Sequence, residues 1–125
     1  MTLGKSLEDY LEAILILKNQ IGVVRSIDVA RQMNFSKPSV CHAVKELRKK
    51  GYLEMDSDSC LHLTENGLAL AEQVYERHCF FTAQLVEMGV NPAQAEQDAC
   101  RIEHVISDES FQKLKEAIQS NNKAR

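Results

Sequence analysis

The sequence has no hydrophobic run that is both long and free of charge, so no segment is expected to span a bilayer. Its first ten residues, MTLGKSLEDY, lack the apolar stretch of a secretory signal, which points to a cytoplasmic protein. Tryptophan is absent and aromatic residues make up 6% of the chain, so aliphatic stripes must supply most of the core. The four cysteines, at positions 41, 60, 79 and 100, form no CxxC pair. That spacing fits neither a zinc ribbon nor a disulfide framework, and free thiols are expected in a reducing compartment. No Gly-rich substrate loop and no separate general base is visible, which argues against an enzyme and against a small organic substrate.

What is present is an ordinary globular composition, 44% hydrophobic and 26% charged. A chain of 125 residues suffices for one domain or two small units. The net charge of −3 argues against general affinity for nucleic acid. Its distribution reverses that for one segment. Residues 21–50 carry Arg25, Arg31, Lys37, Lys45, Arg48, Lys49 and Lys50 against only Asp28 and Glu46, whereas residues 64–125 hold ten acids and six bases. The first half can face phosphate while the second stays acidic, as a sensing or assembly unit would.

Periodicity predicts a helix over about Leu7–Asn19 with Ser6 as its N-cap, placing Asp9 and Glu12 together on a face away from its apolar stripe. Gly22–Arg25 reads as a connector or strand. Ser26 is expected to cap a short helix, and Ser36 a second one with Pro38 in its first turn, ended by Gly51. Tyr52–Met55 and Cys60–Leu63 then read as a β-hairpin around a turn at 56–59. Thr64 caps a long helix to about Gly89, Asn91-Pro92 starts another to about Ile106, and Ser107 caps the last.

Helix, turn, capped basic helix and hairpin is the order of a winged helix-turn-helix. Ser36, Lys37, Pro38, Ser39 and His42 are placed to enter a major groove of double-stranded DNA, with Lys45 and Arg48 further along to contact the backbone. The ordinary reading of these bases is a solvated helix face. Asp56 and Asp58 at the hairpin tip would repel phosphate, so that tip is not expected to grip DNA strongly.

Cys100, Glu103 and His104 stand at i, i+3 and i+4, on one face of a helix and within reach of one ion. Thiolate, carboxylate and imidazole together suit Fe²⁺, Mn²⁺, Co²⁺, Ni²⁺ or Zn²⁺ and disfavour Ca²⁺ and Mg²⁺. Such a site needs more groups, and Asp9, Glu12 and His78 are available. Each also has an ordinary alternative: Cys100 and His78 as core residues, Glu103 with His104 as a solvated pair, Asp9 as a helper of its helix cap. Periodicity alone does not bring the three helices together.

SLEDYLEAI, FSKPSV, ERH and DACRIEHVISDE, in that order and separation, resemble the iron- and manganese-dependent repressors of the diphtheria-toxin-repressor and manganese-transport-regulator family, from about Ser6 to Ile118. The resemblance implies a mainly α protein: a winged helix-turn-helix domain, residues 1–63, followed by an all-helical metal-binding and dimerisation domain, residues 64–125. By position it implies Asp9, Glu12, His78, Cys100, Glu103 and His104 as metal ligands. The set is a hybrid, because the manganese branch usually has Glu at the position of Cys100 and the iron branch usually has Met at that of Asp9. Thr82 and Glu96 fall where the iron branch has ancillary ligands, a Glu and a His. The chain ends before that branch's SH3-like third domain and in this is similar to the shorter manganese branch.

The function expected from this resemblance is transcriptional repression by a homodimer on palindromic operator DNA, loaded with Mn²⁺ or Fe²⁺ (Zn²⁺, Co²⁺ or Ni²⁺ able to substitute), at metal homeostasis genes. Apolar residues in the later helices, including Phe80, Phe81, Leu85 and Val86, exceed what so small a unit easily buries alone, which also favours a dimer. The competing reading is a winged-helix regulator that uses no metal.

Overall fold

The computed structural model describes residues 3–124. Its elements run α1 (Lys5–Ile21), β1 (Val24–Arg25), α2 (Ser26–Met33), α3 (Lys37–Lys49), β2 (Leu53–Met55), β3 (Cys60–Leu63), α4 (Glu65–Glu87), α5 (Pro92–Ile102) and α6 (Asp108–Ala124). The chain divides into two compact units, and the division falls between Tyr75 and Glu76, inside α4. The hairpin itself ends at Leu63, where the sequence suggests the change of domain.

In the first unit α1, α2 and α3 bury a shared aliphatic core that includes Leu11, Ile14, Val29, Val40, Val44 and Leu47. Leu53 and Leu61 of the hairpin and Ala71 of α4 join the same cluster. Burying side chains of this size contributes about 1.5–3 kcal/mol each, so this cluster is what holds α3 in place. Tyr10 packs against Phe35 with ring centroids 5.8 Å apart, and burial pushes its phenol above the usual range.

Two helix starts differ from expectation. α1 begins at Lys5 with Gly4 as N-cap and no side-chain cap, so Ser6 lies inside the helix. Glu8 instead turns back to accept the Leu3 amide at 3.0 Å, and Asp9 pairs with Lys5 at 2.8 Å. In α2 the cap position belongs to Arg25 rather than Ser26, and Asp28 accepts the Arg25 amide at 2.9 Å. In both cases an acid within the first turn reaches back to a backbone amide at or before the helix start, the carboxylate half of a capping box, and no serine hydroxyl takes part.

The hairpin is part of a three-stranded antiparallel sheet of order β1-β3-β2. Val24 pairs with Leu61 and Arg25 with Cys60, while Leu53, Glu54 and Met55 pair with Leu63, His62 and Leu61. The segment read as a connector or strand is therefore the third strand, tying the wing to the start of α2.

In the second unit Phe81, Ala99 and Phe111 form a small core with Phe80, Ile102 and Ile106 against it. Phe80 makes edge contacts with Phe81 and Phe111, each at 5.4 Å between centroids. Asn91 caps α5 through its Oδ1, which accepts the Ala93 amide at 2.9 Å, and Ser107 caps α6 by accepting the Ser110 amide at 3.1 Å.

Candidate metal centre and nucleic-acid interface

α4 carries His78, and α5 with the turn after it carries Cys100, Glu103 and His104. α5 ends one residue before Glu103, so these three groups do not lie on one uninterrupted helix as their spacing suggests. The spacing still works, because Glu103 keeps right-handed helical dihedrals (φ −58°, ψ −23°) and donates its amide to Ala99. The turn after α5 therefore continues the helical rotation far enough to keep the three side chains together.

Cys100, Glu103 and His104 each place a ligand-type atom within 4.8 Å of the other two, and His78 and Glu103 do the same for one another. The Glu103 side chain is fully buried, lying between the two imidazoles. His78 Nδ1 is 2.8 Å from Glu103 Oε2, where an ionised carboxylate leaves the ring nitrogen as the donor. His104 Nε2 is 3.1 Å from Glu103 Oε1, yet that oxygen has no hydrogen-bond partner. A buried carboxylate oxygen without a hydrogen bond is costly unless a cation or donor meets it. Glu103 is thus shared by two groupings, one with Cys100 and His104 and one with His78, and thiol, carboxylate and imidazole donors of this kind fit a divalent transition metal.

Asp9 and Glu12 stand on α1 of the first unit, three residues apart on one helix and both partly buried. Glu96, considered as an ancillary ligand, has Oε1 3.8 Å from His78 Nε2 and a largely exposed side chain. Thr82 is one helical turn beyond His78, with a buried hydroxyl oxygen that makes no hydrogen bond. Sequence reasoning missed Arg77. It is 5% exposed and donates to the main-chain oxygens of Glu103 and Ile106. Its signal was available, since a charged residue between buried Val74 and Phe81 occupies an apolar stripe.

The other candidate surface is α3. Ser36 is its N-cap, accepting the Ser39 amide at 3.3 Å, and Pro38 lies in the first turn. Ser36, Lys37, Pro38, Ser39, His42, Lys45 and Arg48 are all exposed, while Val40, Ala43, Val44 and Leu47 face the core. Burial of the stripe thus turns the whole expected reading face outward. Lys45, Arg48 and Lys49 also line a groove against Leu53, Glu54 and Met55 of β2. At the wing turn Asp56 is occupied internally: its carboxylate accepts the Asp58 and Cys60 amides, each at 2.9 Å, and meets His62 Nε2 at 2.8 Å. The His62 contact first, and those amides with it, hold the Asp56 carboxyl below the usual carboxylate range.

Comparison with known proteins matches both halves. Residues 2–61 match the family described as iron dependent repressor, N-terminal DNA binding domain, and residues 64–123 match iron dependent repressor, metal binding and dimerisation domain. An uncharacterised HTH-type transcriptional regulator of Methanocaldococcus jannaschii is 31% identical over 115 residues, covering 90% of this chain and 92% of the relative. The transcriptional regulator MntR of Escherichia coli O157:H7 is 34% identical over 105 residues, covering 84% of this chain and 68% of the relative. Among solved structures, the manganese regulator SloR superposes with a TM-score of 0.81 at 27% identity over 95% of this chain. The chain spans 55% of the length of that structure.

Proposed function

The chain belongs to the iron-dependent repressor family, and from that premise we propose that it is a transcriptional repressor that binds palindromic operator DNA as a homodimer when loaded with Mn²⁺ or Fe²⁺, acting at metal homeostasis genes. The observation that carries the reading is the buried Glu103 carboxylate, set between His78 and His104 with one oxygen lacking a hydrogen bond. His78, Cys100, Glu103 and His104 are the ligands from the second unit, and Asp9 and Glu12 from α1 complete the set. The two expected domains, 1–63 and 64–125, divide the work into DNA binding and metal sensing.

A bound divalent cation supplies positive charge that offsets these carboxylates and the thiolate of Cys100. The chain's own residues do the rest. Asp9 would share its carboxylate between the ion and Lys5, its 2.8 Å partner on the same helix. α1 packs against α2 and α3, so a restraint on Asp9 and Glu12 passes directly to the recognition helix. Ligation thereby favours a dimer whose two α3 helices are spaced about 34–36 Å apart, one turn of DNA. Ser39 and His42 then face base edges, and Lys45 and Arg48 the phosphates.

A coupling of about 1–3 kcal/mol suffices, giving roughly 5–150-fold tighter operator binding with metal. The test is titration of the reduced protein onto palindromic DNA, anaerobically, with and without Mn²⁺ or Fe²⁺. Equal affinity in both conditions overturns the proposal. Asp9→Ala and His104→Ala are expected to lose the metal response while retaining helical content by circular dichroism.

A further inference from the structure

α5 has an unusual way of stopping. The last carbonyls of a helix have no partners within it, and a glycine in the left-handed conformation commonly closes the end. No glycine follows Gly89 in this sequence, so that solution is not available to α5. The chain turns through 103–105 and starts α6 at Asp108.

The Ile102 carbonyl accepts the Val105 and Ile106 amides at 3.1 and 3.3 Å, and the carbonyl after it, that of Glu103, is taken by a side chain from α4. Arg77 Nη1 donates to Glu103 O at 3.3 Å and to Ile106 O at 2.8 Å. Its Nη2 meets the carboxylate of Asp108 in the first turn of α6, and the guanidinium lies 5.2 Å from the Phe111 ring centroid. One planar fork therefore joins the end of α5, the turn and the start of α6. A lysine, with a single nitrogen, cannot reproduce this geometry.

The carbonyl that Arg77 holds belongs to Glu103, whose side chain is held by His78, the next residue on α4. Glu103 is thus gripped at its main chain and its carboxylate by consecutive residues of one helix. We infer that Arg77 is a positioning residue for the metal centre. It fixes the main chain from Glu103 to Ile106, and so sets Glu103 and His104 against His78 before metal arrives. The inference rests on the ligand assignment above and deepens it. Groups that orient metal ligands typically matter by about 10–100-fold in metal affinity.

The experiment uses the full chain, reduced and anaerobic, with two readouts: Mn²⁺ affinity and the absorption spectrum of the Co²⁺ complex, which reports coordination geometry and the Cys100 thiolate. Arg77→Lys is expected to weaken Mn²⁺ binding about 10–100-fold and to alter the Co²⁺ spectrum. Asp108→Asn, at a side chain 78% exposed, loosens the fork from outside and is expected to act in the same direction with smaller size. It decides the matter if Arg77→Lys does not fold. Wild-type affinity and spectrum in the folded variants overturn the inference, as does a lower melting temperature with both readouts unchanged. Failure of the unsubstituted protein to bind either ion overturns the ligand assignment instead.

Discussion

A single carboxylate can have opposite meanings depending on what surrounds it. Asp56 is exposed yet committed to Asp58, Cys60 and His62 across the wing turn. An acid at a wing tip reads from sequence as a repulsion of phosphate, and here it also braces the turn, in which Ser59 adopts a left-handed conformation (φ 63°). Because its folded pKa is depressed, the stability it contributes is present above the ordinary carboxylate pKa and is lost as pH falls through the lowered value. Asp56→Asn is therefore expected to lower the melting temperature at pH 7, and the difference from wild type should vanish once the wild-type carboxyl is protonated. Melting curves across an acid series check this; a constant difference at every pH contradicts it. Glu103 is the converse case, a carboxylate that looks like a surface residue in sequence and is 1% exposed.

Elements were legible where their signals are local. Ser36 and Pro38 mark the start of α3, and Thr64 that of α4, where its Oγ1 accepts the Gly67 amide at 3.0 Å. Each bond closes within three residues, so adjacent sequence specifies it. Ser36→Ala is expected to cost about 1 kcal/mol, seen as a lower denaturation midpoint. Ser6 and Ser26 are not caps because both helices start earlier than expected, with Gly4 and Arg25 at the cap positions, and propensity does not fix a helix start to one residue. Gly67 shows what a local reading misses. A Cβ there would stand 1.9 Å from the Tyr52 carbonyl oxygen, so α4 rests on the strand-start backbone with no room for a methyl group. Gly67→Ala should destabilise by about 1–3 kcal/mol, the usual range for overpacking, although alanine favours helices. An unchanged or raised melting temperature would show that this contact yields easily.

For the molecule as a whole, the second unit exposes Val86, Met88 and Val105, the last at 83%. Among the described residues no helix is long and apolar enough to cross a membrane. The match to a metal-binding and dimerisation domain leads to the expectation of a dimer, and sedimentation equilibrium at micromolar concentration should give twice the 14.1 kDa chain mass. A stable monomer would remove the two-fold symmetry that palindromic recognition needs. By itself the sequence determined the helix and hairpin order, the outward face of α3 and the chemistry of the candidate ligand types, because each depends on periodicity or on groups within one turn of each other. Tertiary structure alone decided that β1 joins the wing, that His78 meets Glu103 across 25 residues, and that Arg77 holds the turn after α5. Those pairings are set by how helices and strands pack, and a one-dimensional pattern carries no record of which distant face its stripe will meet.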